Sequence, residues 1–223
     1  MCVGFALFAT LIGTANYVEA PRASGYGFGL SIVGSGLCMV PGGLMMLLMS
    51  PVSARLSARF GPKRTLALGA AVVAVGFLWR IALTAQLWDV VVGSALAGTG
   101  TGIAYAAMPS LILRSAPRGE LAAANGLNSL SRLVGSSIAS AIGGTILASS
   151  VVVVGGVAFP SLAAYQILFA LCAVAAVLGA VIAMLVPYPP GYSPLDARPD
   201  GDVTMVRQPA AGERARRQPG QSF

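Results

Sequence analysis

The sequence predicts an all-α, polytopic membrane protein whose six transmembrane helices form one bundle. Six long apolar stretches occur in the first 187 residues, and most charged residues lie between or after them. Each stretch is close to the ~20 residues that a helix needs to cross a ~30 Å hydrocarbon layer. The stretches cover residues 2–18, 29–49, 65–83, 90–113, 127–149 and 165–186.

The composition favours a membrane location over a soluble fold. Hydrophobic residues make up 56% of the 223 residues and charged residues only 9%, whereas soluble domains carry about 25% charged residues. Lipid offers the backbone no hydrogen-bond partners, so spanning segments must be helices or strands of a closed barrel. A barrel would show alternating segments of about ten residues. The unbroken apolar runs therefore predict helices.

The first stretch is expected to be a retained span rather than a cleaved signal peptide. The run Val18-Glu19-Ala20 loosely resembles a cleavage site. However, a signal peptide begins with a basic segment, and no Lys or Arg precedes this apolar run.

Proline and small residues mark the second, fourth and fifth stretches. A proline inside a helix removes one backbone hydrogen bond and bends the helix. Small residues four apart let two helix backbones approach closely. A bend or close packing is therefore expected at Pro41, Gly42, Gly43, Gly98, Gly102, Gly135 and Gly143.

The basic residues lie on one side of the membrane if six helices alternate. They follow the second stretch, the fourth stretch and the sixth, so the positive-inside rule assigns these segments and the N-terminus to the cytoplasm. Orientation also explains the net charge of +7, because basic and aromatic residues do not interleave as nucleic-acid binding requires. Residues 1–187 are expected to form the transmembrane domain, and residues 188–223 a disordered, basic, Pro-rich cytoplasmic tail.

The basic loop after the second stretch carries a motif. Residues 54–64 read Ala-Arg-Leu-Ser-Ala-Arg-Phe-Gly-Pro-Lys-Arg, which resembles the cytoplasmic signature G-x-L-A-D-R-x-G-R-R of the major facilitator superfamily. The matching positions are Leu56, Arg59, Gly61 and Lys63. Alanines replace the first glycine and the aspartate of the signature, and a proline replaces an arginine. In such a loop the glycine turns the chain and the bases anchor it at the anionic leaflet.

Two further motifs follow in the order that this family shows. The glycines between Gly98 and Gly102, followed by Met108-Pro109, resemble the fourth helix of a six-helix half. The run from Asn125 to Gly135 resembles the start of the fifth helix in the second half, especially in the fourteen-helix drug/proton antiporter branch. The resemblance covers about residues 1–187.

The resemblance implies the C-terminal six-helix half of an exporter of small amphipathic molecules. Such transporters consist of two halves with the substrate site between them. The second half would be a separate chain, a second copy or a missing N-terminal part, and a fragment of a longer protein is the favoured interpretation. The substrate path would be lined by neutral polar groups of the spans, namely Asn16, Tyr105, Asn125 and Asn128.

Ionisable groups within or beside the spans are few. Glu19 and Arg132 are candidates for gating or coupling; the alternatives are a Glu19–Arg22 pair at the rim and an Arg132 that reaches the membrane surface. Arg80, near the end of the third stretch, is expected to snorkel to that surface. No Asp or Glu lies in the middle of a span, so a proton-coupling acid would reside in the other half.

Two other classes compete with a transporter. A rhomboid-type intramembrane protease needs a histidine base, and the chain contains no histidine. An aspartyl intramembrane protease needs two buried aspartates, which the spans lack. The chain is therefore not expected to be an enzyme, and no residue set indicates a metal or cofactor. A non-transporting scaffold or partner subunit, or an inactive truncated fragment, is the alternative to transport.

Overall fold

The computed structural model describes residues 2–83, 86–115 and 120–185, and within them six α-helices follow the six apolar stretches. They are α1 (Cys2–Glu19), α2 (Ile32–Phe60), α3 (Pro62–Ala82), α4 (Leu87–Ser115), α5 (Leu121–Ser149) and α6 (Leu162–Leu185). The helices α2 to α6 are long and apolar enough to cross a membrane. The prediction of an all-α membrane bundle is confirmed, and six helices occupy the predicted positions. The predicted tail lies outside the described residues.

The basic segment after the second stretch is helical, contrary to the loop expected there. Gly61 alone separates α2 from α3. Its φ of 86° is a left-handed value that side-chain-bearing residues rarely adopt. The Thr65 hydroxyl donates to the Gly61 carbonyl (3.0 Å) and so satisfies it at the turn. α2 extends to Gly61 because alanine, leucine and arginine, which dominate residues 54–59, are good helix formers.

Glycines allow α4 to pack directly against both α2 and α3. A Cβ added to Gly98 would lie 2.0 Å from the carbonyl oxygen of Gly42 on α2, and one added to Gly102 would lie 2.5 Å from that of Met46. A Cβ added to Gly100 would lie 2.5 Å from the carbonyl oxygen of Gly69 on α3. Backbones therefore meet on two sides of α4, a packing mode that membrane helices achieve with small residues.

The connection between α5 and α6 folds into a β-hairpin, which the sequence interpretation did not include. Its strands are β1 (Val151–Val154) and β2 (Val157–Pro160), paired antiparallel. Gly155 and Gly156 form the turn with φ values of 60° and 82°, the positive values that tight hairpin turns require. The hydroxyl of Tyr26, which follows α1, donates to the Pro160 carbonyl. Burial raises the pKa of Tyr26, so this donor stays protonated at neutral pH.

Aromatic side chains form the core beside the hairpin. The rings of Tyr17 on α1 and Tyr165 on α6 meet edge to face with centroids 5.2 Å apart. Phe77 on α3 stacks on Phe169 on α6 at 6.1 Å. All four side chains are almost completely buried. Since such pairs add to the gain from area burial, this cluster fixes α1 and α3 each against α6.

Candidate functional site

A cavity opens between α1, α2 and α4, and we name it the α1/α2/α4 cavity. It holds about 100 Å³ and is lined in part by Thr10, Thr14, Gly43, Ser94, Gly98 and Thr101. The hydroxyls of Thr10 and Thr14 donate to carbonyls one turn earlier on α1, and Ser94 donates to the Cys38 carbonyl on α2 (3.2 Å). Apolar walls with a few placed polar groups are typical of small-molecule pockets.

A second space, the α1/α4/α5 cleft, brings two predicted site residues together. It holds about 340 Å³ and shares the α1 side chains Leu7 and Leu11 with the first cavity. The Arg132 guanidinium lies over the Tyr105 ring, 4.9 Å from its centroid. A Cβ added to Gly4 of α1 would lie 2.4 Å from the Arg132 carbonyl oxygen. The close approach of α1 and α5 therefore holds one cation at an apolar wall.

Asn16 and Glu19 lie together in a third space, the hairpin cleft, which holds about 540 Å³ and is walled partly by the hairpin. Glu19 accepts a hydrogen bond from the Ser35 hydroxyl (2.6 Å). Arg22 instead donates to the Phe28 carbonyl (3.3 Å). The expected Glu19–Arg22 pair is not formed, because a short 3-10 turn begins at Arg22 and the N-terminal turn of α2 supplies the partner of Glu19.

The other two polar candidates lie along α5. Asn128 and Asn125 precede Arg132 by four and seven residues, so all three share one helix face. Both asparagines are partly exposed. The Asn125 amide donates to the Leu121 carbonyl of its own helix (3.1 Å). These placements put polar groups near the α1/α4/α5 cleft without joining them to the Tyr105–Arg132 pair by a described hydrogen bond.

The positions at which a bend or close helix packing is expected differ in their surroundings. α2 continues through Pro41, and nothing lies within 4 Å of a Cβ added to Gly43. Gly135 and Gly143 are buried on α5. A Cβ added to Gly143 would meet Leu168 of α6 at 3.5 Å, which is ordinary contact.

The signature residues surround the turn between α2 and α3. Leu56 is partly buried, and Arg59 is exposed with its guanidinium over the adjacent Phe60 ring, 5.3 Å from the centroid. Lys63 is buried. Because protein encloses Lys63, this residue does not face a lipid leaflet as the expected anchor would.

Arg80 is the functional candidate that sequence reasoning underrated. The expected snorkelling is wrong, since Arg80 is only 2% exposed. Its Nη1 donates to the Thr14 hydroxyl of α1 (2.5 Å), and its guanidinium lies 4.3 Å from the ring centroid of Phe169 on α6. A Cβ added to Gly93 of α4 would lie 2.4 Å from Arg80 Cγ. The glycine thus makes room for the stem, and three helices hold the side chain inside. The only sequence signal was a charge within an apolar stretch.

Among the described residues, no three His, Cys, Asp or Glu side chains come together as a metal site would require. No curated protein matches the chain. The chain is similar to the inward-open xylose transporter XylE from E. coli, with a TM-score of 0.64 and 17% identity over 85% of this chain.

That match covers 47% of XylE, so the chain spans about half the length of the solved transporter. At this identity the likeness shows a common fold. The model of the Major Facilitator Superfamily matches residues 1–219. The chain therefore belongs to the major facilitator superfamily, a family of membrane transporters and not of enzymes.

Proposed function

We propose that the chain is the C-terminal half of a secondary active transporter that exports small amphipathic molecules from the cell. Family membership and the half-length match to XylE support a half-transporter. The run from Asn125 to Gly135 supports the drug/proton antiporter branch by its resemblance. The protein would lie in the cell membrane with its C-terminus in the cytoplasm, as the distribution of basic residues indicates.

One observation carries the proposal: the Tyr105–Arg132 pair lies in an apolar cleft beside α1. A cation held over an aromatic ring is a fixed polar feature on an otherwise apolar wall, and such features orient amphipathic ligands. The substrate path would run along α1, which lines all three spaces. Asn16, Asn125 and Asn128 would add polar contacts along that path.

The second half would cover the helices that the bundle leaves most exposed. α2 and α5 are the least buried of the five long apolar helices. α1 packs against both of them, so the spaces beside α1 lie between the two exposed helices. Rocking of the two halves about this face would give alternating access. The coupling acid would belong to the other half, since no carboxylate lies mid-span here.

The test uses the full chain in its native host, where a second half is present. Ethidium efflux and uptake of labelled xylose are measured after deletion of the gene and after its restoration. Deletion is expected to slow ethidium efflux and to leave xylose uptake unchanged. Restoration with Arg132→Ala is expected to recover less efflux than restoration with Arg22→Ala, whose guanidinium bonds a loop carbonyl.

Two outcomes would contradict the proposal. Unchanged ethidium efflux after deletion would oppose export of amphipathic molecules and favour a scaffold or an inactive fragment. A change confined to xylose uptake would assign the chain to sugars instead. Equal amounts of both arginine variants in the membrane are required for the comparison, and immunoblotting of membrane fractions measures this.

A further inference from the structure

Arg80 is a buried charge that has no role in the proposed function. It is 2% exposed and lies two residues before the end of α3. Its Nη2 atom has no hydrogen-bond partner among the described residues, and no acidic group of the described part of the chain forms an ion pair with it. Removing such a charge from water costs free energy. Arg80 therefore contributes little to the stability of the fold.

The contacts of Arg80 connect two helices that otherwise scarcely meet. α1 packs on α5 and α6 and, less closely, on α2 and α4, but it shares almost no backbone proximity with α3. The hydrogen bond from Arg80 Nη1 to the Thr14 hydroxyl spans this gap (2.5 Å). Phe169 and Gly93 confine the guanidinium and the stem from α6 and α4. The side chain therefore reaches α1 from a rigid pocket.

Thr14 lies at the junction between this contact and the α1/α2/α4 cavity. It is fully buried and lines the cavity. Its hydroxyl donates to the Thr10 carbonyl and accepts from Arg80. Because α1 also lines the α1/α4/α5 cleft and the hairpin cleft, the position of this helix sets the width of all three spaces.

We infer that Arg80 is a positioning residue: its hydrogen bond to Thr14 holds α1 in place and thereby sets the opening of the α1/α2/α4 cavity. Loss of that bond releases α1 from α3 and admits water and solutes to the cavity. The inference rests on the proposed function only in taking this cavity as part of the substrate path. Its physical content, the coupling between one hydrogen bond and cavity access, does not depend on which substrate is carried.

Thr10 supplies a matched control for Thr14. Both threonines lie on α1, line the cavity and donate to the carbonyl four residues earlier. The described hydrogen bond from Arg80 reaches only Thr14. Thr14→Val and Thr10→Val therefore remove the same hydroxyl from neighbouring turns, and only the first breaks the contact with α3. Thr14→Ser keeps the hydroxyl and should restore the original behaviour.

The reporter is a cysteine at Ala97, a buried residue on the α4 wall of the cavity. A second reporter at Ala104, also buried on α4, stands outside the residues that line this cavity. The full chain in lipid nanodiscs is treated with a water-soluble maleimide. Mass spectrometry of each reporter peptide gives its rate of modification, so the native cysteines remain in place.

Thr14→Val is expected to speed modification of Ala97→Cys by about tenfold, the equilibrium change that corresponds to losing one hydrogen bond to a charged group. Arg80→Lys is expected to act in the same direction, since an ammonium lacks the planar fork. Thr10→Val and Thr14→Ser should leave the modification rate close to that of the parent, since neither removes the hydroxyl that Arg80 contacts. Modification of Ala104→Cys should not change in rate, whereas general loosening of the fold would raise the rate at both reporters.

Equal modification rates in Thr14→Val and Thr10→Val would overturn the inference, as would equal acceleration at both reporter positions. The threonine pair decides the question even if Arg80→Lys fails to fold. The assay contains no substrate and does not depend on transport. A chain that fails the efflux test but passes this one therefore refutes the proposed transport and leaves the positioning role intact.

Discussion

The contact between α2 and α4 gives the sharpest prediction about the stability of the bundle. Gly98 and Gly42 meet backbone to backbone, and an alanine at Gly98 would place its Cβ 2.0 Å from the Gly42 carbonyl oxygen. Real Cβ atoms essentially never come closer than 3.0 Å to such a neighbour. Because the obstructing atom is backbone, Gly98→Ala must push the two helices apart by about 1 Å.

The magnitude follows from three terms. Overpacking of a tight contact costs about 1–3 kcal/mol. The Ser94–Cys38 hydrogen bond between the same helices is already 3.2 Å long, and its loss costs at most about 1 kcal/mol, because the Ser94 hydroxyl keeps the Val91 carbonyl of its own helix as an acceptor at 2.8 Å. Replacing a helical glycine by alanine gains about 1 kcal/mol in helix propensity. We expect Gly98→Ala to lower the free energy of unfolding by up to about 3 kcal/mol.

Gly43→Ala is the matched control, since it lies on α2 beside the same contact and meets nothing within 4 Å. Its propensity gain is unopposed, so it should be neutral or stabilising by up to about 1 kcal/mol. Unfolding of the full chain in mixed micelles by increasing fractions of SDS, followed by circular dichroism, measures both variants. The two substitutions thus differ in sign. A Gly98→Ala variant as stable as Gly43→Ala would refute the close contact between α2 and α4.

Three other predictions concern the turn, the cleft and the coupling acid. Gly61→Ala should destabilise the chain by about 1 kcal/mol or more, because Gly61 has a φ of 86°; the same SDS titration measures this, and an unchanged midpoint would contradict the turn geometry. Tyr105→Leu should reduce ethidium efflux in the native host, whereas Tyr105→Phe should retain it, since a phenyl ring preserves the cation–π contact with Arg132, worth about 0.5–2 kcal/mol; equal loss in both variants would implicate the hydroxyl instead. The full chain alone in proteoliposomes should show no substrate-dependent proton flux with ethidium, read by a trapped pH dye, because its spans hold no central carboxylate; a flux above that of empty liposomes would refute the placement of the coupling acid in the other half.

The helices were predictable because a membrane-spanning helix can be recognised from a single contiguous segment of the sequence. The length and apolar composition of a stretch indicate a span, and all six apolar stretches correspond to helices in the structure. The ends were less predictable. α2 continues past the membrane-length stretch to Phe60, since arginine and alanine permit a helix after hydropathy falls.

Contacts between distant parts of the chain explain what sequence reasoning missed. The burial of Arg80 depends on Thr14, Phe169 and Gly93, which lie on three other helices. No local sequence pattern indicates such a pocket. For an isolated helix, extension of the Arg80 side chain to the membrane surface is a better expectation than burial. The hairpin is different, because Gly155-Gly156 between valine-rich runs is a recognised hairpin signal.

The candidate site was predictable in its residue types more than in its geometry. Tyr105 and Arg132 were chosen separately, as a polar residue and a charge within spans, and the fold brings them into one cleft. Glu19 was expected to pair with a neighbour in sequence, yet its partner is Ser35 at the start of the next helix. In a helix bundle, neighbours across helices decide such pairings.

The half-transporter account is tested most directly by the mass of the particle that carries this sequence in its native membrane. Native mass spectrometry of membrane particles, extracted with their lipids and captured through a tag on the C-terminus, gives that mass. The account predicts a particle that contains a second six-helix half, in the same polypeptide, in a second copy or in another chain. A lone polypeptide of 22.5 kDa would contradict it.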